Sequence, residues 1–211
     1  MNYLCENWEG FLQMCVFMIA RGYRHYCHVA YPVRKEYKWK EIDRKLIEKY
    51  GITESKYRRA RLKKKGIANF YFLRWYDQAV IYHTAGEISG AIVYDDQFYN
   101  VTEKALEVKV SDNIRVNIRG EKSVTVRLTK DSYRGAKAVL WDVCRSKDRR
   151  AIIREFDKLN GIPSWKEIIE QKRMLAAYVV KQARKHQVQL KRNELRISTR
   201  RKIYKPFSKA Q

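Results

Sequence analysis

Apolar residues recur at helical spacing at the start of the chain and then alternate with polar residues. The helical spacing predicts a core helix over residues 8–21, although so short an apolar run also suits a buried strand; its apolar positions are Trp8, Phe11, Leu12, Cys15, Met18 and Ile19. Residues 23–31 alternate until Pro32, which predicts a strand. Residues 39–50 are charged apart from a narrow apolar stripe, which predicts an amphipathic helix packed on the sheet.

Two pairs of strand-like segments occupy the middle of the chain. Residues 69–75 and 78–84 are rich in aromatic and β-branched side chains and are separated by only two residues, which predicts a hairpin. Residues 91–94 and 97–101 predict a second, shorter hairpin around Asp95-Asp96.

Residues 106–110, 114–119 and 123–128 have the alternating pattern of a three-stranded meander. The alternation directs one set of residues to the core: Leu106, Val108, Val110, Ile114, Val116, Ile118, Val124, Val126 and Leu128. It places four cations near a common solvent face: Lys109, Arg115, Arg119 and Arg127.

The last third of the sequence predicts helices and a basic tail. Asp131 or Ser132 is expected to cap a helix that ends near Cys144, and Ser146 to begin another. Residues 164–167 read Ser-Trp-Lys-Glu, a capping-box sequence that predicts a further helix to about His186. From Lys181 to Lys209 there are eleven cations and one carboxylate, so we expect the tail to order on a polyanion.

These elements together predict an α+β protein, with an antiparallel sheet packed with helices, a helical C-terminal part and a basic C-terminal tail. We expect a mixed α/β core with the basic helix and the meander over residues 1–130. A helical part packed on that core is expected over residues 131–190, and a basic C-terminal arm over residues 191–211.

The charge of the chain points to a class of partner. The sequence has 46 Lys and Arg but only 23 Asp and Glu, which gives a formal net charge of +23. Such an excess destabilises a compact chain by self-repulsion and is best tolerated where a polyanion neutralises it. The densest cluster lies in Lys56–Lys65, where seven of ten residues are cationic and point all around a helix axis. The aromatic-rich strand that follows adds rings able to stack on bases.

Nucleic acid is therefore the expected partner, bound chiefly through phosphates. The expected contacts lie on the basic helix, the strand after it, the meander and the tail: Lys56, Arg58, Arg59, Arg61, Lys63, Lys64, Lys65, Arg74, Lys109, Arg115, Arg119, Arg127, Arg196, Arg200, Arg201, Lys202, Tyr204 and Lys205.

The cysteines and the apolar runs bear on the compartment. Cys5, Cys15, Cys27 and Cys144 show no short Cys-x-x-Cys spacing, which is typical of a reducing compartment. The apolar run over residues 11–20 is about half the length needed to span a bilayer. We expect a cytoplasmic protein with no membrane partner.

A metal site and a nuclease site are the chemical alternatives. His25, Cys27 and His28 lie close together, but on a strand the two histidines point to opposite faces, so no metal or cofactor is expected there. Glu107-Val108-Lys109, with Asp95 or Asp96 upstream, resembles the Asp…Glu-x-Lys motif of restriction-type nucleases. That resemblance implies carboxylates that hold Mg²⁺ and a lysine that orients the attacking water.

The sequence favours a non-catalytic component of a nucleoprotein complex that binds structured or single-stranded RNA. Abundant tyrosine and scattered basic patches suit an irregular RNA better than one recognition helix in a DNA groove. A duplex-DNA-binding accessory factor of replication or transposition is the alternative binder, and the Mg²⁺-dependent nuclease is the alternative enzyme. Other proteins of the complex are further expected partners.

Overall fold

The computed structural model describes residues 2–52, 55–120, 123–200 and 202–207. This part of the chain contains six α-helices and seven strands, which form a four-stranded and a three-stranded sheet. The α+β fold predicted from the sequence, with antiparallel sheets, packed helices and a helical C-terminal part, is confirmed. Short 3₁₀ helices span Val33–Lys38, Lys158–Gly161 and Arg192–Glu194.

The chain divides into two compact units. Unit 1 comprises Met1–Val108, Ile118–Val124 and Tyr204–Gln211, and unit 2 comprises Lys109–Asn117 and Thr125–Ile203. The division passes through the three-stranded sheet and assigns the last residues to unit 1. It therefore follows proximity in space, whereas the predicted ranges followed sequence order.

Unit 1 is built on the four-stranded sheet. Its strands are β1 (His25–Ala30), β2 (Phe70–Trp75), β3 (Gln78–His83) and β4 (Tyr99–Asn100), in the order β2-β3-β1-β4. Strand β3 pairs antiparallel with both β1 and β2, and all six of its residues are buried. The predicted strand near residues 23–31 and the predicted hairpin of β2 and β3 are both confirmed.

The first helix, α1 (Trp8–Ala20), is the predicted core helix. The side chain of Asn7 accepts a hydrogen bond of 2.7 Å from the backbone N–H of Gly10 and so caps its start. Phe11, Leu12 and Cys15 are fully buried, so the helical spacing of the apolar residues does mark the core-facing side.

Helix α2 (Trp39–Lys49) is also confirmed, and it carries a residue that the apolar stripe did not reveal. Asp43 is fully buried, and its carboxylate accepts a hydrogen bond of 2.9 Å from the hydroxyl of Tyr31. The same carboxylate binds Arg74 of β2, so a charged pair lies within the core of unit 1.

The second predicted hairpin is wrong. Residues 91–94 form no strand, and only β4 pairs, at two positions, with β1. The loop is held instead by side chains, since the rings of Tyr94 and Phe98 stack with centroids 4.9 Å apart and both contact His83. Alternation over so few residues did not distinguish a strand from an aromatic loop.

The predicted meander is confirmed as β5 (Leu106–Lys109), β6 (Arg115–Gly120) and β7 (Val124–Leu128), in that order in the three-stranded sheet. Six of the nine predicted core residues are buried and the other three, Val110, Ile114 and Val124, are half-buried. The alternation along these strands therefore assigned the two faces correctly.

Helix α3 (Lys56–Lys64) follows α2 in unit 1, and the helices of unit 2 are α4 (Lys130–Arg145), α5 (Arg149–Asp157) and α6 (Lys166–Lys185). Their existence was predicted, but two caps differ. Thr129 caps α4, with its side chain accepting from the N–H of Ser132 at 3.2 Å, and Asp148 caps α5. Each cap lies two or three residues from the predicted one, because sequence patterns locate a helix better than they locate its ends.

The predicted capping box at the start of α6 does not form. The hydroxyl of Ser164 donates instead to the backbone carbonyl of Ser198 at 2.7 Å, and Trp165 occupies the cap position without a side-chain hydrogen bond. Ser164 is buried, so a contact 34 positions away in sequence displaced the local one.

The C-terminal segment differs from the expected arm in its first part. Leu190 and Leu195 are buried in the core of unit 2. The side chain of Asn160 donates to the carbonyl of Arg196 and accepts from the N–H of Ser198, both at 2.9 Å. Residues 190–198 are thus attached to unit 2. The prediction considered only the net charge of this segment and overlooked the isolated apolar residues that pack in the core.

Candidate nucleic-acid interface

Helix α3 (Lys56–Lys64) is the predicted basic helix. The hydroxyl of Ser55 caps its start by accepting from the N–H of Arg58 at 3.2 Å. At its end, the N–H of Gly66 bonds the carbonyl of Lys63, and the next N–H bonds the carbonyl of Leu62. These two bonds form a Schellman motif, which places Gly66 at a φ of +71°.

The cations of α3 are available to a ligand. No residue of the helix is buried, and Tyr57, between Lys56 and Arg58, is 80% exposed. Within the described residues, no carboxylate lies within 4 Å of the charged groups of six of these cations: Lys56, Arg59, Arg61, Lys63, Lys64 and Lys65. The helix thus presents exposed charge together with one exposed ring.

The first turn of α3 is hydrogen-bonded to the residue that precedes β2. The side-chain amide of Asn69 donates to the carbonyl of Arg59 at 3.2 Å, and Asn69 itself is buried. Burial raises the pKa of Tyr23 and of Tyr71, and the nearby Arg59 opposes both increases. The half-buried Arg59 therefore acts electrostatically on two tyrosines, whereas the later cations of α3, Arg61, Lys63 and Lys64, are exposed.

Arg74 was predicted to contact nucleic acid, and its position in the structure rules this out. Its side chain is 6% exposed, and its Nε lies 2.9 Å from a carboxylate oxygen of Asp43. Its Nη1 donates to the carbonyl of Tyr76 at 2.9 Å. The guanidinium also lies over the rings of Tyr31 and Trp39, with centroid distances of 5.6 and 5.4 Å. Arg74 is a core residue.

The predicted cations of the meander lie on its outer side. In unit 2, Arg115 and Arg127 are exposed, and Lys109 is half-buried with its Nζ 2.9 Å from the carboxylate of Asp112. Arg127 lies 3.8 Å from the carboxylate of Glu167. Arg119 is also exposed but belongs to unit 1.

The predicted cations of the tail are exposed where the structure describes them: Arg196, Arg200, Lys202 and Lys205. Arg201 lies outside the described residues. Tyr204 is half-buried, and its backbone N–H donates to the side chain of Gln13 at 3.3 Å. The carbonyl of Pro206 accepts a hydrogen bond of 3.0 Å from the N–H of Glu6, so this end of the chain is attached within unit 1.

The aspartates of the nuclease motif are engaged with α2. The Nζ of Lys49 contacts the carboxylate of Asp95 and lies 2.8 Å from that of Asp96. The hydroxyl of Tyr50 also donates to Asp96. These hydrogen bonds hold the pKa of Asp96 below its usual value, Lys49 contributing most.

Glu107 lies on the other side of the sheet. Tyr50, which binds Asp96, packs on the face of the sheet that contains Cys27 and Phe70. Tyr26, on the opposite face of β1, donates to the carbonyl of Ala105 at 2.9 Å, just before Glu107. The structure thus does not bring the two carboxylates of the motif together.

The histidines of unit 1 form a stacked pair. The rings of His25 and His83 are 4.5 Å apart and nearly parallel, and the Nε2 of His83 lies 3.1 Å from the hydroxyl of Tyr94. Burial lowers the pKa of His83 to about 4. Among the described residues, no three His, Cys, Asp or Glu side chains are placed to hold a metal ion.

Two features of the surface were not identified from the sequence. Tyr57 was not selected, although its position inside the basic run was a usable signal. Arg149 and Arg184 line a cavity in unit 2, and their separation in sequence gave no signal of this.

In the part of the chain that the structure describes, every helix is too short or too polar to cross a bilayer. Comparison with protein-family models, curated proteins and solved structures finds no match to this chain.

Proposed function

We propose that this protein binds RNA, chiefly through phosphates, with α3 as its main contact. The observation that carries the proposal is the exposed helix with seven cations in the ten positions Lys56–Lys65. Each phosphate bound by a cation releases condensed counterions, so such a helix gains affinity for any nucleic acid strand. The net charge of +23 acts in the same direction over the whole chain.

RNA that is single-stranded or irregularly folded is the proposed target. Tyr57 is an exposed ring whose neighbours in sequence, Lys56 and Arg58, are cations, and such a ring suits a base that is free to stack. Helix α3 has nine residues and is about 13 Å long, with cations on every side. A recognition helix in a DNA groove instead needs one face for bases and another for the protein core.

The outer cations of the meander and the exposed cations of the tail are proposed as further phosphate contacts. Arg115 and Arg127 are the exposed members of the first group in unit 2, and Arg196 and Arg200 are exposed members of the second. These residues lie on elements other than α3, so their contribution is measured separately from that of the helix.

The test is the salt dependence of RNA binding in a charge-reduced variant. Arg61→Gln, Lys63→Gln, Lys64→Gln and Lys65→Gln together remove four exposed charges from the α3 region. We expect weaker binding, and a slope of log affinity against log salt that is shallower by about 0.7 for each phosphate that the variant no longer neutralises. The matched control removes four exposed cations around α2: Lys38, Lys40, Arg44 and Lys45.

The control separates local contact from overall charge, because both variants lose the same net charge. Equal slopes in the two variants would refute the assignment to α3. Binding is expected with and without Mg²⁺, and the RNA is expected to stay intact. Tighter binding to duplex DNA than to RNA, or cleavage that requires Mg²⁺, would replace the proposal with one of its alternatives.

A further inference from the structure

A cavity of about 920 Å³ lies in unit 2, where the chain turns after α6. Its volume is at the upper end of the range of about 300–1,000 Å³ that is typical of small-molecule sites. Helix α5 contributes Arg149, α6 contributes Val180 and Arg184, and residues 187–191 with 193–194 form the rest of the wall. All of these residues belong to unit 2.

The charge of the cavity favours an anion. Arg149, Arg184 and Lys191 line it, against the single carboxylate of Glu194. That carboxylate is already bound by the guanidinium of Arg149 and by the backbone N–H of Lys191. In the described part of the chain, no carboxylate lies within 4 Å of the charged group of Arg184 or Lys191. Two cations thus remain to bind a phosphate.

The rest of the wall suits a planar polar ring. Gln187, Gln189 and Asn193 line the cavity, and the side-chain amide of each can both donate and accept hydrogen bonds. Val180 is the half-buried apolar residue of the wall, whereas the side chains of Val188 and Leu190 belong to the core of unit 2 behind it. Amides paired with apolar contacts are the means by which proteins read the edge and face of a base.

The backbone at Gln187 gives an independent reason to assign its side chain a role. The N–H of Gln187 bonds the carbonyl of Arg184, and the N–H of Val188 bonds that of Ala183, which is the Schellman motif. Gln187 has a φ of +64°, a conformation that favours glycine.

Among the described residues, three other helices end in the same hydrogen-bond pattern, and each has glycine at the corresponding position. These glycines are Gly22, Gly51 and Gly66, with φ of +94°, +56° and +71°. Among the described helix ends that have both hydrogen bonds, only that of α6, which borders the cavity, has a side chain at this position; Lys147 after α4 also has a positive φ, of +58°, with only the first of the two bonds. Glycine would adopt this φ without strain, so the side chain of Gln187 stands at the cavity wall at a conformational cost.

We infer that this cavity binds one nucleoside monophosphate unit, with Arg184 and Lys191 on the phosphate and the amides on the base. The unit is either a free nucleotide or one nucleotide of an RNA strand. The inference does not depend on α3, so it stands or fails separately from the proposed RNA binding.

The experiment titrates the intact protein with the four nucleoside 5′-monophosphates and with inorganic phosphate, by calorimetry at low salt. The variants are Arg184→Gln, which removes a phosphate contact, and Gln187→Gly, which removes a base contact. The control is Lys185→Gln, which removes an exposed charge from the same helix end without altering the cavity wall.

We expect at least one nucleotide to bind more tightly than phosphate, about ten-fold weaker binding in Arg184→Gln, and no change in Lys185→Gln. Gln187→Gly should weaken nucleotide binding while leaving phosphate binding unchanged and raising Tm, a combination that a purely structural role would not give. Nucleotide binding no tighter than phosphate binding, or equal affinity in all variants, would overturn the inference.

A competition arm identifies the source of the nucleotide. A five-nucleotide single-stranded RNA that displaces the bound monophosphate, and that loses affinity in Arg184→Gln, assigns the site to a strand. A monophosphate that stays bound at saturating RNA assigns it to a free nucleotide. The α3 variant with four glutamines is expected to bind monophosphates normally, which keeps failure of the two proposals distinguishable.

Discussion

Helix α3 and strand β2 are separated by five residues, and both carry arginine, yet the two environments differ completely. The cations Arg61, Lys63 and Lys64 of α3 are exposed to solvent. Arg74 of β2 is instead buried against Asp43 and two aromatic rings. Opposite charges on a surface contribute about 0–1 kcal/mol to stability, while removal of one partner from a buried pair costs about 3–5 kcal/mol. The burial of its side chain and the presence of a carboxylate beside it thus decide whether an arginine stabilises the fold or is available to bind a ligand.

The largest effect is expected from Arg74→Met, which leaves the Asp43 carboxylate buried without its cation. The free energy of unfolding should fall by about 3–5 kcal/mol, as measured by urea denaturation. Arg61→Met makes the same chemical change on α3 and should alter stability by less than about 0.5 kcal/mol while weakening RNA binding.

A double variant, Asp43→Leu with Arg74→Met, tests the cause of that loss. Removing both charges should restore part of the stability, because no unpaired charge then remains in the core. A double variant less stable than Arg74→Met alone would contradict this, and would show that Asp43 acts mainly through its bond from Tyr31.

Lys172 in unit 2 is a second buried cation, and no carboxylate of the described residues lies within 4 Å of its charged group. It is 1% exposed, and its Nζ donates to the carbonyl of Ile162 at 2.8 Å. Burial lowers its pKa from 10.5 to about 8. Between these two values the unfolded chain holds a proton that the folded chain has released, so stability rises as the pH increases.

That difference in pKa corresponds to on the order of 3 kcal/mol, gained between about pH 8 and pH 10.5. We therefore expect the free energy of unfolding of the wild type, relative to Lys172→Met, to rise over this range. Lys181→Met changes an exposed lysine of the same helix and should follow the wild type. A wild type that runs parallel to Lys172→Met would show that Lys172 has a normal pKa.

The local patterns of the sequence predicted most elements, because helix spacing, strand alternation and charge density are properties of neighbouring residues. The role of Arg74 was missed, since its partner Asp43 lies 31 positions away. One signal was present: Arg74 follows Phe70 and Phe72 at alternate positions, which points it to the core side. The failed capping box has the same cause, because the partner of Ser164 lies 34 positions away.

Tyr57→Ala tests whether the exposed ring of α3 contributes to RNA binding. If this ring stacks on a base, the free energy of RNA binding should become less favourable by about 1–3 kcal/mol. The free energy of unfolding should stay within about 0.5 kcal/mol of the wild-type value. Tyr57→Phe keeps the ring and should bind as the wild type does. An equal loss in both variants would assign the contribution to the hydroxyl rather than to stacking.

The smallest effect is expected from Ser55→Ala, which asks whether α3 binds as a helix or only as a run of charges. The change removes the cap on the N–H of Arg58 and should destabilise the helix by about 1 kcal/mol without altering any cation. Faster amide hydrogen exchange in α3 is the direct measure of that loss. If the spacing of cations on a formed helix matters, RNA affinity should fall by up to about five-fold, since part of the binding energy is then used to form the helix.

Ser55→Asn keeps the cap and should restore both exchange and affinity. Faster exchange with unchanged affinity would instead show that charge density alone, in whatever backbone conformation, accounts for the contribution of this segment.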